Sequence, residues 1–245
     1  TGKTELLAQR LSNALKNGMS PNDMICLTFT NRAAKNMLSR IEKEVGEHEI
    51  FIGNIHSYCN IFLRKNKIIP MNSSLLDEED TELIFTELKK EFPGHNIGTY
   101  KTGELLRLST LLKQKKMNFP QDVLQKLGLQ FSNLKSIKNA IKLCRQYEAI
   151  KSESIFIDFD DLLTLTYEFL SKQGQANQHM IKWLQVDEVQ DLNPLQWAII
   201  NKISNKQTSH RVFFGDYEQA IFSFMGSKIE VLDGIAKEST VHELY

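Results

Sequence analysis

Four polar side chains follow a short apolar run and have the composition of a metal-nucleotide site. Asp187 and Glu188 are adjacent carboxylates, and Gln190 and Asp191 come directly after them. Like charges this close raise one another's pKa, and a bound cation relieves that cost. The apolar run at 181–186 predicts a strand, which places the acids at its carboxyl end. A structural alternative is that Asp191 caps the next helix.

A phosphate-binding loop is the expected partner of these acids. Gly2, Lys3 and Thr4 match the end of the GxxxxGK[ST] pattern. In that pattern backbone amides hold phosphates at a helix N-terminus, the lysine reaches the β- and γ-phosphates, and the hydroxyl binds Mg²⁺. The tripeptide alone is a weak signal, but a helical pattern at 5–17 follows it at once. As a site, Asp187 would also hold Mg²⁺.

Glu188 would then orient and deprotonate the attacking water. A third polar segment at 213–226 follows another apolar run and contains Gln219 among aromatic residues. A glutamine amide is neutral and bidentate, so Gln219 can sense a γ-phosphate. Phe222 and Phe224 are two residues apart and could stack on bases, or they could belong to the core.

Two further polar segments follow predicted strands. Phe29, Thr30 and Asn31 come after the first strand, and His56 comes after the second. Open parallel sheets bind ligands at the carboxyl ends of their strands, so these residues are candidates for a binding edge. A lone histidine is more often structural, and we favour for His56 a hydrogen bond to phosphate or to a neighbouring loop.

Alternating helices and strands predict an α/β core with a parallel sheet at 1–69 and 155–245. The segment 70–154 shows helical patterns and little strand signal, which predicts an inserted all-helical subdomain. The predicted strands are 24–29, 50–52, 183–186 and 211–214. The predicted helices are 5–17, 31–45, 56–65, 83–92, 103–116, 120–127, 132–149, 160–171 and 193–204.

The composition is that of an ordinary globular protein: 245 residues, 41% hydrophobic, 24% charged and neutral overall. Segment 101–151 is nevertheless basic, with 11 Lys/Arg against 3 Asp/Glu, a net charge of +8. This segment, with side chains such as Lys113, Lys115 and Lys116, could be a nucleic-acid face, or it could be a set of solvated helix faces.

Three scattered cysteines, Cys26, Cys59 and Cys144, form no CxxC pair and indicate reduced thiols in a cytoplasmic protein. No apolar run approaches the length of a membrane span, and no signal peptide is present. The first residue is Thr within a motif, which predicts that the sequence is a piece of a longer chain.

In this order the motifs resemble those of the UvrD/Rep/PcrA family of superfamily 1 DNA helicases. The matching segments are 2–4 (GKT, the end of Walker A), 28–34 (TFTNRAA, motif Ia), 55–57 (IHS, motif Ib), 158–163 (DFDDLL), 187–191 (DEVQD, motif II) and 215–222 (GDYEQAIF, motif III). The resemblance implies a RecA-like P-loop NTPase core, subdomain 1A, with 70–154 as subdomain 1B.

The resemblance also implies a role for each site residue. The catalytic residues would be Glu188 as general base, Gln219 as γ-phosphate sensor and Asp187. ATP would be bound by Gly2, Lys3, Thr4, Asp187 and Gln219, and Mg²⁺ by Thr4 and Asp187. The DNA track would include Phe29, Thr30, Asn31, His56, Phe222 and Phe224.

Three residues depart from the family pattern: Ala220 replaces a serine, Met225 an arginine and Ile55 an aromatic residue. The sequence ends about where motif IV and its arginine are expected, so the second motor domain would lie elsewhere in the parent chain. Arginine fingers contribute about 10³–10⁵ in rate to related phosphoryl transfers. These 245 residues alone are therefore expected to hydrolyse ATP weakly or not at all.

By resemblance, the parent is expected to be an ATP-dependent helicase or translocase, moving 3′ to 5′ on single-stranded or partly duplex DNA in repair or recombination. One alternative is the helicase subunit of an AddA-like recombination nuclease. Another is a degenerate, nucleotide-regulated DNA-binding module, which Met225 and Ala220 suggest. An RNA helicase fits the DExQD and GDxxQ motifs less well.

Overall fold

A computed structural model describes residues 2–91, 101–113, 134–172, 180–216 and 226–242. The chain divides into two compact units. The core unit comprises Thr1–Lys65 and Leu165–Tyr245, and the insertion unit comprises Asn66–Thr164. The sequence analysis placed the insertion at 70–154, within the same part of the chain.

The elements alternate between helix and strand in the core unit and are mainly helical in the insertion unit. The helices are α1 (Gly2–Lys16), α2 (Asn31–Val45), α3 (Ile55–Lys65), α4 (Glu78–Lys90), α5 (Thr102–Lys113), α6 (Leu134–Ser154), α7 (Phe159–Lys172), α8 (Pro194–Ile203) and α9 (Gly226–Lys237). The strands are β1 (Met24–Leu27), β2 (Phe51–Gly53), β3 (Ser74–Leu75), β4 (Phe156–Ile157), β5 (Trp183–Val186) and β6 (His210–Phe213). Short 3₁₀ turns cover Pro21–Asp23 and Val189–Asp191.

A four-stranded parallel sheet forms the centre of the core unit, in the order β2-β1-β5-β6. All four residues of β1 are buried, as expected for an inner strand covered on both faces. In the register, Leu27 pairs with Gly53 on one side and with Val186 on the other. The prediction of an α/β fold with a parallel sheet is therefore confirmed.

Helices α1 and α2 pack together beside this sheet. Leu7 and Leu11 of α1 and Met37 and Ile41 of α2 are fully buried in one hydrophobic cluster with β1 residues. The spacing of these residues puts them on one face of each helix, which explains why both helices form here. Helix α1 ends at Lys16, and Gly18 follows with a φ of 85°, in the left-handed region that glycine favours after a helix.

A separate hydrophobic core stabilises the insertion unit. Phe85 of α4 and Tyr147 of α6 are fully buried, and their rings stack with centroids 4.6 Å apart. Strands β3 and β4 pair in parallel beside them. Among the described residues the insertion unit is therefore helical apart from this pair of short strands, which corrects the expectation of an all-helical subdomain.

A buried ionic cluster links three helices of the insertion unit. Lys151 of α6 is 3% exposed and contacts Asp158 and Asp161, the latter at 2.6 Å. Lys113 of α5 contacts the same two acids and Glu148, the last at 3.0 Å. Lys113 is thus a partly buried ion-pair partner, and the interpretation of Lys113 as a DNA-contacting or solvated side chain is wrong. Lys115 and Lys116 lie outside the described residues.

The three cysteines are buried and form no disulfide. Burial raises the pKa of each thiol to about 12. They are therefore unreactive at neutral pH while the protein is folded. Among the described residues, no helix combines the length and apolar character that crossing a membrane requires.

Candidate active site

Polar segments follow each strand of the parallel sheet at its carboxyl edge. The ladder hydrogen bonds continue into these segments and fix their starts: the Asp187 amide donates to Leu27 O at 2.9 Å, and the Phe214 amide donates to Val186 O at 2.8 Å. On the other side, the Thr28 amide donates to Gly53 O at 2.9 Å. The loops that the sequence analysis selected therefore begin along one edge.

Helix α1 brings the phosphate-loop residues to this edge. It begins at Gly2, so Lys3 and Thr4 occupy its first turn, and both are half-buried. The buried amide of Gln185 in β5 donates to Leu7 O at 3.0 Å and fixes α1 against the sheet. The N-terminus of α1 thus offers free backbone amides and the positive end of the helix dipole, the features that bind phosphate.

Asp187 is the most buried acid of the site, with 8% of its surface exposed. Burial raises the pKa of its carboxyl group, and the neighbouring Glu188 carboxylate raises it further. The Glu188 amide, which donates to Asp187 Oδ1 at 3.1 Å, and the charge of Lys3 oppose this rise. Lys3 is therefore near enough to Asp187 for its positive charge to lower the pKa of that carboxyl group.

Glu188 adopts an unusual backbone conformation beside Asp187. Its φ of 52° and ψ of 49° lie in the left-handed region, which is uncommon for residues other than glycine and costs about 1–2 kcal/mol. The side chain is half-buried and accepts a hydrogen bond from Gln190 Nε2 at 2.6 Å. Such conformations cluster at functional sites, which marks Glu188 as a candidate functional residue.

The loops after β1 and β2 hold four of the predicted DNA-contacting residues. Phe29 is 57% exposed, a large exposed fraction for an aromatic side chain. Asn31 Oδ1 accepts a hydrogen bond from Asn54 Nδ2, which ties the two loops together. His56 lies half-buried in the first turn of α3.

Thr30 has a structural role that the sequence analysis did not assign. Its hydroxyl oxygen accepts a hydrogen bond from the Ala33 amide at 3.1 Å and caps α2. The proposed structural role of Asp191 is wrong, because Asn193 caps α8 and Gln196 completes a capping box. Gln219, Phe222 and Phe224 lie outside the described residues, as do Ala220 and Met225.

Two residues of the site had no specific role in the sequence analysis. Gln190 is 3% exposed and bonds to both Glu188 and the Asp216 amide. Asn54 donates to Asn31 and also accepts from the Ser57 amide at 2.8 Å, which caps α3. Asn54 could have been identified from its position between a strand and a helix, where asparagine is a favoured cap.

Comparison with known proteins identifies the family. The UvrD/REP helicase N-terminal domain matches residues 1–240 of this chain. The ATP-dependent DNA helicase PcrA of Staphylococcus epidermidis is 28% identical over 240 residues, which cover 94% of this chain and 32% of that helicase. PcrA of Staphylococcus aureus is 26% identical over 248 residues, covering 97% and 33%. The chain thus spans about a third of the length of these relatives. Because the domain match covers nearly every residue, the chain belongs to the UvrD/REP helicase family and corresponds to its N-terminal domain.

Proposed function

We propose that this chain is the ATP-binding part of an ATP-dependent DNA helicase. The observation that carries the proposal is the position of Lys3 and Thr4 in the first turn of α1, where the charge of Lys3 acts on the pKa of the buried Asp187. A lysine at a helix N-terminus and a carboxylate at the end of a parallel strand are the two sides of a nucleotide site. ATP would be bound by Gly2, Lys3, Thr4 and Asp187, together with Gln219.

The residues present fit a magnesium ion. Thr4 supplies a hydroxyl and Asp187 a carboxylate, and Mg²⁺ takes few protein ligands because phosphate oxygens and water fill its other positions. Asp187 is also destabilised in its charged form by burial and by Glu188, so a nearby cation would stabilise it. When bound, Mg²⁺ supplies charge neutralisation on the phosphates.

Glu188 is proposed as the general base. Water attacks the γ-phosphorus, one water proton passes to the Glu188 carboxylate, and the bond from the γ-phosphorus to the β,γ-bridging oxygen breaks. ADP leaves and inorganic phosphate remains. The left-handed backbone of Glu188 and the Gln190 hydrogen bond favour this assignment, because they restrain the position of its carboxylate.

Single-stranded DNA is the proposed polymer substrate, with movement from 3′ to 5′. The exposed ring of Phe29 supports single-stranded DNA as the substrate, because such a ring can stack on a base, which contributes about 1–3 kcal/mol. Thr30, Asn31 and His56 would complete the described part of the track. Phe222 and Phe224 remain predicted contacts.

The domain assignments follow the same reasoning. The core unit would be subdomain 1A and the insertion unit subdomain 1B, and a second motor domain in the parent chain would supply the arginines. The unbonded thiols support a cytoplasmic location. The alternatives of a nuclease subunit and a degenerate binding module are not favoured, since the relatives reported above are named as PcrA helicases.

Glu188→Gln in the full-length protein tests the catalytic assignment. We expect ATP affinity to stay within about threefold and DNA-stimulated turnover to fall by at least about 100-fold, because the amide no longer accepts a proton. The control is Glu238→Gln, which changes an acid of an exposed ion pair with Lys206 and should leave turnover unchanged. Undiminished turnover in Glu188→Gln would reject the assigned base.

A further inference from the structure

Both polar atoms of the buried Gln190 side-chain amide form hydrogen bonds at the site. Gln190 is 3% exposed, and its Nε2 donates to Glu188 Oε2 at 2.6 Å. Its Oε1 accepts from the Asp216 amide at 3.2 Å. The side chain therefore bridges the proposed base and the loop that follows β6.

A backbone hydrogen bond runs alongside this bridge. The Val189 amide donates to Phe214 O at 2.9 Å, so the turn after β5 and the loop after β6 are joined at two points. The Asp191 amide donates to Glu188 O at 2.9 Å and closes the short turn itself. The bond from Gln190 Nε2 adds a side-chain restraint on the Glu188 carboxylate to these backbone bonds.

Gly215 allows the two segments to approach closely. A Cβ atom there would lie 2.8 Å from Val189 Cγ2 and 3.2 Å from Gln190 Oε1. Cβ atoms in proteins essentially never approach another atom as closely as the first distance. A larger residue at this position would therefore push apart the turn after β5 and the loop after β6. The glycine between Phe214 and Asp216 is thus required by packing against the same glutamine side chain.

We propose that Gln190 is a positioning residue for ATP hydrolysis, which rests on the function proposed above. Its amide holds the Glu188 carboxylate and connects it to the loop that follows β6. Any displacement of residues 214–216 is transmitted to the base through one rigid, neutral group. An amide suits this task because it donates to the carboxylate and accepts from the backbone amide at once.

The test uses two variants of the full-length protein that separate the two ends of the amide. Gln190→Glu keeps an acceptor for the Asp216 amide, but it loses the donor and places a like charge beside Glu188. Gln190→Met preserves the length of the side chain and loses both bonds. Steady-state hydrolysis gives kcat and KM, and equilibrium binding of a fluorescent ATP analogue gives affinity.

We expect kcat to fall about 10- to 100-fold in both variants, while KM and analogue affinity change less than about threefold. The matched control is Gln196→Ala, which removes another buried glutamine amide from the capping box of α8. Gln196→Ala should lower the unfolding midpoint and leave the kcat of folded protein unchanged.

Two results would overturn the inference. One is a kcat within threefold of the unsubstituted protein in both Gln190 variants; the other is a loss no greater than that of Gln196→Ala. Glu188→Gln separates this failure from failure of the proposed function. If Glu188→Gln abolishes turnover and the Gln190 variants retain it, only the positioning role is rejected.

Discussion

Asn54 Nδ2 lies 3.1 Å from Asn31 Oδ1, and this side-chain bond joins the segments that follow β1 and β2. Asn54 also caps α3 through the Ser57 amide, so its position is fixed by the helix that it begins. Asn31 is exposed at the start of α2, two residues after Phe29. Because Asn54 is held in place by α3, its bond to Asn31 restrains the loop that carries the exposed ring of Phe29.

Asn31→Ala is expected to weaken binding of single-stranded DNA about three- to tenfold in the full-length protein. Two losses contribute: the loop carrying Phe29 would lose a restraint that now holds it before binding, and Asn31 is itself a proposed DNA contact. ATP-analogue affinity should not change. Fluorescence anisotropy with a labelled oligonucleotide measures the effect. The control is Asn17→Ala, which removes an exposed asparagine side chain just after the C-terminal end of α1. Equal DNA affinity in all three proteins would show that the bond does not order this loop.

Lys151→Met is expected to destabilise the insertion unit by about 3 kcal/mol. It leaves Asp158 and Asp161 buried with one cation in place of two, and an uncompensated buried charge is costly. Hydrogen exchange of peptides from α6 and α7, measured as a function of urea, reports the local change.

Lys90→Met is the control for this substitution, because it removes an exposed ion pair with Glu87 in the same unit. Exposed pairs contribute about 0–1 kcal/mol, so a small effect is expected. Equal losses of stability in the two variants would show that the buried cluster contributes no more to stability than an exposed ion pair.

Acid should weaken the insertion unit in a defined range of pH. Burial alone would raise the pKa of Asp158, but Lys113 and Lys151 outweigh it and lower this pKa from 3.8 to about 2. A carboxyl group with a lowered folded-state pKa stabilises the fold above its unfolded value. This contribution, about 2 kcal/mol, is therefore present above pH 4 and is lost as the pH falls toward 2.

Unfolding free energies measured between pH 2 and pH 6 check this prediction. Asp158→Asn should be less stable at pH 6, and its stability should depend less on pH than that of the unsubstituted protein. Parallel pH profiles for the two proteins would contradict the assignment of this titration to Asp158.

Gly215→Ala should reduce ATP turnover about tenfold or more, because the added methyl group would meet Val189 and displace the Gln190 amide. Gly234→Ala provides a matched control: its added Cβ meets nothing within 4 Å, and alanine favours the helix α9 that contains it. We expect Gly234→Ala to be as active and slightly more stable. Full turnover in Gly215→Ala would mean that this close approach is unimportant.

Local signals predicted much of the core unit. Helix α2 has the predicted bounds, because Thr30 caps its start and its apolar residues recur at helical spacing. Strand β5 also matches its prediction, because a short and mostly apolar run is typical of a buried strand in a parallel sheet. The phosphate loop and the adjacent acids were proposed from the chemistry that each residue type supports, and their roles stay predictions.

The failures have physical reasons. Strands β3 and β4 contain two residues each, which is too few to show any periodicity. Helix α9 was not predicted, and two of its residues, Gly226 and Gly234, disfavour helix. Lys113 was misinterpreted because its acids lie in a later helix, so a charge count along 101–151 misses them. The left-handed backbone of Glu188 has no sequence signal at all.

The sheet order has a consequence for biosynthesis. Strand β1 pairs with β2 early in the chain, but its other neighbour, β5, follows the whole insertion unit. Strand pairing between residues far apart in the sequence is slow, because closing a long loop costs conformational entropy before the stabilising contacts form. During translation one edge of β1 therefore stays unpaired while the insertion unit is synthesised. The edge that carries Lys3 and Asp187 forms only when β5 pairs with β1, so a nascent chain acquires the geometry of its nucleotide site only after β5 has left the ribosome.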